Sequence, residues 1–264
     1  MGGVCHDYLH GIELMASKSH VALIALGTAE FASVEKLQTA LQAEGGDYPP
    51  VEVRQRDNTT SFLLGDDKVV ITAVAEPIPW TDLTGPCEAA WYWPEAASEL
   101  RKHRAHLMVV VVPGGPDRKS AAIKLTKVAA ALVQSSPALG VFWGGSGTVH
   151  APGPFCQTAG EASPERLPVE IWVGFGLIPE SDQTHSVYTS GLEDFGMQEL
   201  EVHRSVRDPQ FLYERLFDVV HYVLRKDVIL KEGETIGISE EEQIPIEEIR
   251  SLCDGKTKVL HLAL

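Results

Sequence analysis

A chain of 264 residues with 22 Lys and Arg against 37 Asp and Glu has a formal charge of −15 at pH 7, and 44% of its residues are hydrophobic. That is an ordinary globular composition, which excludes disordered, collagen-like and coiled-coil classes. The charge argues against a nucleic-acid binder, which needs a basic face to displace counterions, and against attachment to anionic membranes through a polybasic surface.

Residues 1–20 lack a basic segment followed by an apolar one, and Met15 offers a second start, so they are read as an extension or tag outside the fold. No apolar run approaches the ~20 residues that cross a bilayer. Cys5, Cys87, Cys156 and Cys253 form no C-x-x-C pair, which points to reduced thiols in a cytoplasmic protein.

Residues 21–26 are uniformly apolar and precede Gly27, the pattern of a strand buried on both faces. Ser33 then caps a predicted helix carrying Val34, Leu37, Ala40 and Leu41, stopped by Gly45-Gly46. Val51 and Val53 alternate with polar neighbours, and Gly65-Asp66-Asp67 folds residues 61–64 onto 69–74 as a hairpin. A helix from about Pro94 and a strand at 107–112 complete the order strand, helix, strand, strand, helix, strand, that of a ferredoxin-like unit. Residues 21–112 are therefore read as one half.

Residues 113–264 form the second half. A helix is predicted over 117–134 and a strand over 139–143, followed by a Gly/Pro-rich loop, 144–168. Residues 169–177 are apolar without a decisive period; strands follow at 187–189 and 199–204. Asp208-Pro209 opens a helix with Leu212, Leu216, Val219, Val220, Val223 and Leu224 facing inward. The acidic stretch 240–248 reads as solvated surface, and 259–264 as a closing strand. The expected fold is α+β: mainly antiparallel sheets with helices on one face, two ferredoxin-like halves packed together.

Most chemical motifs are absent or incomplete. There is no Walker-type phosphate loop, and Gly144-Gly145-Ser146-Gly147-Thr148 has Thr148 where the last glycine of a nucleophile elbow belongs. Gly174-Phe175-Gly176 lacks the third glycine of a dinucleotide fingerprint. Val112-Pro113-Gly114-Gly115 precedes a helix whose free N–H groups suit an anion, although a tight turn needing glycine explains it more simply. His103 and His106 fall at a helix-to-strand junction and need not share a face.

Glu199, Glu201 and His203 alternate along a predicted strand and would line one surface. Two carboxylates beside an imidazole suit a divalent metal or acid–base work, while an amphipathic strand burying Leu200 and Val202 accounts for the same spacing and is preferred. Trp143 runs into the glycine loop with His150 nearby, as the floor of a pocket would. The ligand-binding candidates are thus Trp143, His150, Glu199, Glu201 and His203. No catalytic residue, metal or cofactor is assigned.

The segment Thr189-Ser190-Gly191-Leu192-Glu193-Asp194-Phe195-Gly196-Met197-Gln198-Glu199-Leu200-Glu201-Val202 resembles the hallmark of a mainly bacterial family known only as a domain of unknown function. Trp91-Tyr92-Trp93-Pro94, Gly140-Val141-Phe142-Trp143 and Gly233-Glu234-Thr235-Ile236-Gly237 extend the similarity over roughly residues 20–250. The resemblance carries no activity and no site residues. In general style it is similar to bacterial intracellular immunity and toxin-neutralising proteins. The expected function is a non-enzymatic protein-binding factor with a basic partner and no nucleic-acid or membrane partner, the oligomeric state being open. The alternative is a small-molecule or metal-binding enzyme with a cleft between the halves.

Overall fold

The computed structural model describes residues 19–29, 36, 39–41, 50–237 and 243–264. The N-terminal extension before residue 19 and most of the helix expected over 33–45 lie outside them. The chain divides into two units, Met1–Ile171 and Trp172–Leu264.

The first unit is organised by strand β1 (His20–Leu26), buried at every position. Val21, Leu23 and Ala25 pack against Leu83, Ala90, Trp93 and Leu100, from helices α1 (Trp80–Ala89) and α2 (Ala96–Leu100) and the link between them. The intervening Ala22, Ile24 and Leu26 are fully buried on the opposite face, where helix α3 (Arg118–Ser135) lies against β1. Each such buried Val, Leu or Ile side chain contributes about 1.5–3 kcal/mol, which is why a strand apolar on both sides recruits helices to both.

The all-antiparallel sheet has the order β2-β3-β4-β5-β1-β6-β7. Its other strands are β2 (Val51–Arg56), β3 (Thr59–Leu64), β4 (Asp67–Val74), β5 (Ala105–Val112), β6 (Ala138–Trp143) and β7 (Thr148–His150). The predicted hairpin is present: Leu64 pairs with Asp67 across Gly65, whose φ is 59°. The α+β class holds, with two finer departures. Helices cover both faces of this sheet rather than one. Strand β5 also stands between β4 and β1, where a ferredoxin-like unit would set its third strand directly beside its first. Because β6 pairs with β1, the first unit continues to Ile171 instead of ending at residue 112.

The segment 144–168 is not a plain loop. It contains β7 and helix α4 (Pro152–Glu161), with Pro152 at a first helical position, where its missing N–H costs nothing. Proline and glycine also disguised α1, which holds Gly85 and Pro86.

The second unit carries a sheet of order β11-β12-β13-β10-β9-β8. The strands are β8 (Gly174–Pro179), β9 (His185–Ser190), β10 (Leu200–Ser205), β11 (Thr235–Gly237), β12 (Gln243–Arg250) and β13 (Lys258–Leu262). Only β10 and β13 run parallel. The ambiguous stretch 169–177 resolves into a helical turn, Val169–Trp172, and then β8. Helix α5 (Pro209–Lys226) starts as predicted, with the Asp208 side chain accepting from the Gln210 and Phe211 N–H groups, and buries its six apolar positions. Residues 243–248 of the acidic stretch belong to β12, which is anchored by buried Ile244 and Ile246. Two alternating isoleucines outweigh the acidic residues that follow them, Glu247 and Glu248.

Candidate functional site

The hallmark segment folds into a capped turn that delivers strand β10. Gly191 and Gly196 sit at φ 110° and 75° and bracket a short 3-10 turn, Leu192–Phe195. Side chains disfavour that left-handed region, so glycine is required at both ends. The Glu199 carboxylate accepts from the Gly191 N–H at 2.7 Å, the Glu193 N–H at 3.3 Å and the Thr189 hydroxyl at 2.6 Å. Thr189 in turn accepts from the Leu200 N–H at 2.8 Å. Leu192 is fully buried, and the Phe195 ring lies 5.2 Å from Trp172. Burial raises the Glu199 pKa against the lowering effect of these hydrogen bonds. Glu199 is a folding residue.

Glu201 is different. Its register partners are Tyr188 on β9 and His261 on β13, and His261 is paired in turn with Glu247 on β12. Register partners share a face, so these four side chains form one polar row across the sheet. Gly176 on β8 extends the row by having no side chain: a Cβ there would stand 2.1 Å from the Tyr188 ring. Leu200, Val202, Leu260 and Leu262, on the opposite face, are buried.

The Glu201 side chain is almost wholly buried and fully engaged. It accepts from the Ser251 hydroxyl at 2.6 Å, the Leu252 N–H at 3.0 Å and His203 Nε2 at 2.6 Å. His203 keeps 24% of its side chain exposed. Its ring centroid is 5.2 Å from that of His261, whose Nδ1 lies 3.3 Å from the Glu201 carbonyl oxygen. Desolvation is the leading cause lowering the His261 pKa, followed by the raising effect of that backbone bond. Among the described residues, no group of three or more His, Cys, Asp or Glu side chains is placed to hold a metal ion.

Trp143 and His150 belong to the first unit. Trp143 is a core residue, 1% exposed, instead of a pocket floor. His150 is packed between Tyr92 and Phe155, each with its ring centroid 6.0 Å away. Its Nε2 lies 2.9 Å from Thr148 Oγ1, which lies 2.7 Å from Ser146 Oγ. Burial depresses the His150 pKa to about 4, so the ring is neutral at pH 7. This chain of hydroxyls runs from the hairpin turn along β7.

The other motifs also resolve structurally. A Cβ on Gly114 would stand 2.1 Å from the Asp66 carbonyl oxygen, and the Gly114 N–H donates to Asp67 at 2.7 Å, so glycine is needed here for the close approach of the β3–β4 turn. His103 Nε2 accepts from the Ile78 N–H at 2.7 Å, and His106 Nδ1 donates to the Glu76 carbonyl at 2.8 Å. Both histidines pin backbone.

The structure thus brings together Glu201 and His203 from the sequence candidates, sets Glu199 aside as a cap, and places Trp143 and His150 in the other unit. Sequence reasoning missed His261, Ser251 and Tyr188, because strand pairing alone makes them neighbours. The only signal for His261 was its single polar ring between Leu260 and Leu262.

The second unit is an α+β domain, and its polar row falls within the segment that the family comparison recognises. Residues 188–263 match the family described as "Domain of unknown function (DUF4261)". No curated protein and no solved structure matches the chain. Among the described residues, no helix is long and apolar enough to cross a membrane.

Proposed function

We propose that the chain is a non-enzymatic protein-binding factor that engages a basic surface through an aromatic corner of its first unit. The observation that carries this reading is a pair of adjacent exposed rings in the link between α1 and α2: Trp91 is 67% exposed and Tyr92 47%. The rings meet edge to face at 5.8 Å, and the Tyr92 hydroxyl donates to the Val149 carbonyl at 3.0 Å, which fixes the corner to β7. Glu88 and Glu95, both exposed, flank it.

Large aromatics are the commonest anchors of protein interfaces. An aromatic face beside carboxylates attracts Arg and Lys through cation–π and charge together. The formal charge of −15 would steer such a partner inward. Toxin neutralisation is one form that this binding can take.

The test is crosslinking through positions 88 and 95 in the native cell, followed by affinity measurement with the purified partner. Trp91→Ala should weaken binding by about 30-fold or more, and rising salt should weaken it further. Failure to crosslink any protein, or equal affinity for wild type and variant, would overturn the reading.

A further inference from the structure

Two neighbouring imidazoles in the second unit each donate one ring N–H to Glu201. A carboxylate and a carbonyl oxygen only accept hydrogen bonds, so the ring is the donor in both contacts. His203 donates from Nε2 to Glu201 and His261 donates from Nδ1 to the Glu201 backbone oxygen. In the neutral form of each ring this leaves a lone pair on His203 Nδ1 and on His261 Nε2, neither of which makes a hydrogen bond among the described residues. A metal-binding histidine characteristically donates its other N–H to a carboxylate or carbonyl, which fixes the tautomer and raises the basicity of the ligating nitrogen. Both rings have such a partner, and one residue supplies both.

The ring separation agrees. Two imidazoles sharing one tetrahedral ion, with metal–nitrogen distances of about 2.1 Å, have centroids about 5 Å apart; His203 and His261 stand at 5.2 Å. The charge balance agrees too. Glu201 is buried beneath the pair, and Glu247 lies beside His261 in the strand register.

We infer that His203 and His261 form a two-histidine site for a divalent transition ion such as Zn²⁺, with Glu201 as the positioning residue behind both rings. Imidazole donors suit Zn²⁺, Cu²⁺ and Ni²⁺, not the oxygen-seeking Mg²⁺ and Ca²⁺. With two protein ligands, the remaining coordination positions belong to water or to an incoming ligand. The site lies in the second unit and is independent of the aromatic corner.

The test is Zn²⁺ titration of the full chain against a chromophoric chelator, with Co²⁺ as a spectroscopic substitute. The chain holds ten histidines, so the reading is the difference between proteins. Wild type should bind one equivalent more than His203→Ala and than His261→Ala, and the double variant should lose no more than either single one. Glu201→Gln should retain that equivalent with affinity weakened about 10–100-fold, and His150→Gln should bind as wild type does. Should a variant fail to fold, Zn²⁺-dependent shifts of the His203 and His261 ring resonances in the wild-type chain replace it. Identical stoichiometry and affinity in wild type and the double variant, or ring resonances unmoved by Zn²⁺, would overturn the site.

Discussion

His150 in the first unit and His203 in the second are each held through Nε2 by the residue two positions earlier on the chain, and they end in different situations. Thr148 offers His150 a neutral hydroxyl inside an aromatic cage; Glu201 offers His203 a carboxylate at the edge of solvent. Burial without a counter-charge keeps an imidazole neutral and makes it a packing element. A buried carboxylate behind a partly exposed imidazole instead orients the ring and leaves its other nitrogen available. The same i, i+2 spacing therefore yields a buried strut in one unit and, in the other, a partly exposed ring that we propose as a ligand.

The sharpest way to break this comparison is to remove the two partners. Glu201→Ala strips acceptors from Ser251, the Leu252 N–H and His203 together, and should destabilise the second unit by about 3–5 kcal/mol in urea unfolding. Thr148→Ala removes one neutral hydroxyl bond and should cost about 1 kcal/mol. Equal costs would erase the distinction between strut and ligand.

Acid is the next lever. His150 has a folded pKa of about 4 against about 6.5 unfolded. The unfolded chain therefore binds the extra proton first as pH falls. The stability this neutral ring contributes is complete above pH 6.5 and is lost progressively down to about pH 4. The loss should reach about 3 kcal/mol, read as a falling urea midpoint, and His150→Gln should flatten that part of the profile.

The two glutamates of the hallmark segment sharpen the comparison further. Glu199→Ala leaves the Gly191 and Glu193 N–H groups without their acceptor and should cost about 1–3 kcal/mol, without altering Zn²⁺ binding. Gly196→Ala should cost about 1 kcal/mol, as little as Thr148→Ala. Its added Cβ meets nothing within 4 Å, so the left-handed φ alone is responsible. A larger loss would show that the turn tolerates no local adjustment.

Local signals served the sequence reading well. The uniform apolar run of β1, the Gly65 hairpin, the Asp208-Pro209 cap of α5 and the alternation that set Glu201 beside His203 are all near-neighbour patterns. Proline hid α1 and α4 because its usual helix-breaking effect is absent at a first position and can be outweighed elsewhere by packing. Acidic composition likewise concealed β12.

What the sequence determined by itself was whatever depends on composition and on spacing along the chain: the class of fold, the caps and the net charge. Tertiary structure decided which strands became neighbours, and so placed His261 beside His203, closed Ser251 over Glu201 and gave Glu199 to the turn. The physical reason is that sheet register joins residues tens of positions apart, and the chemistry of a carboxylate follows from the donors and burial that the register supplies.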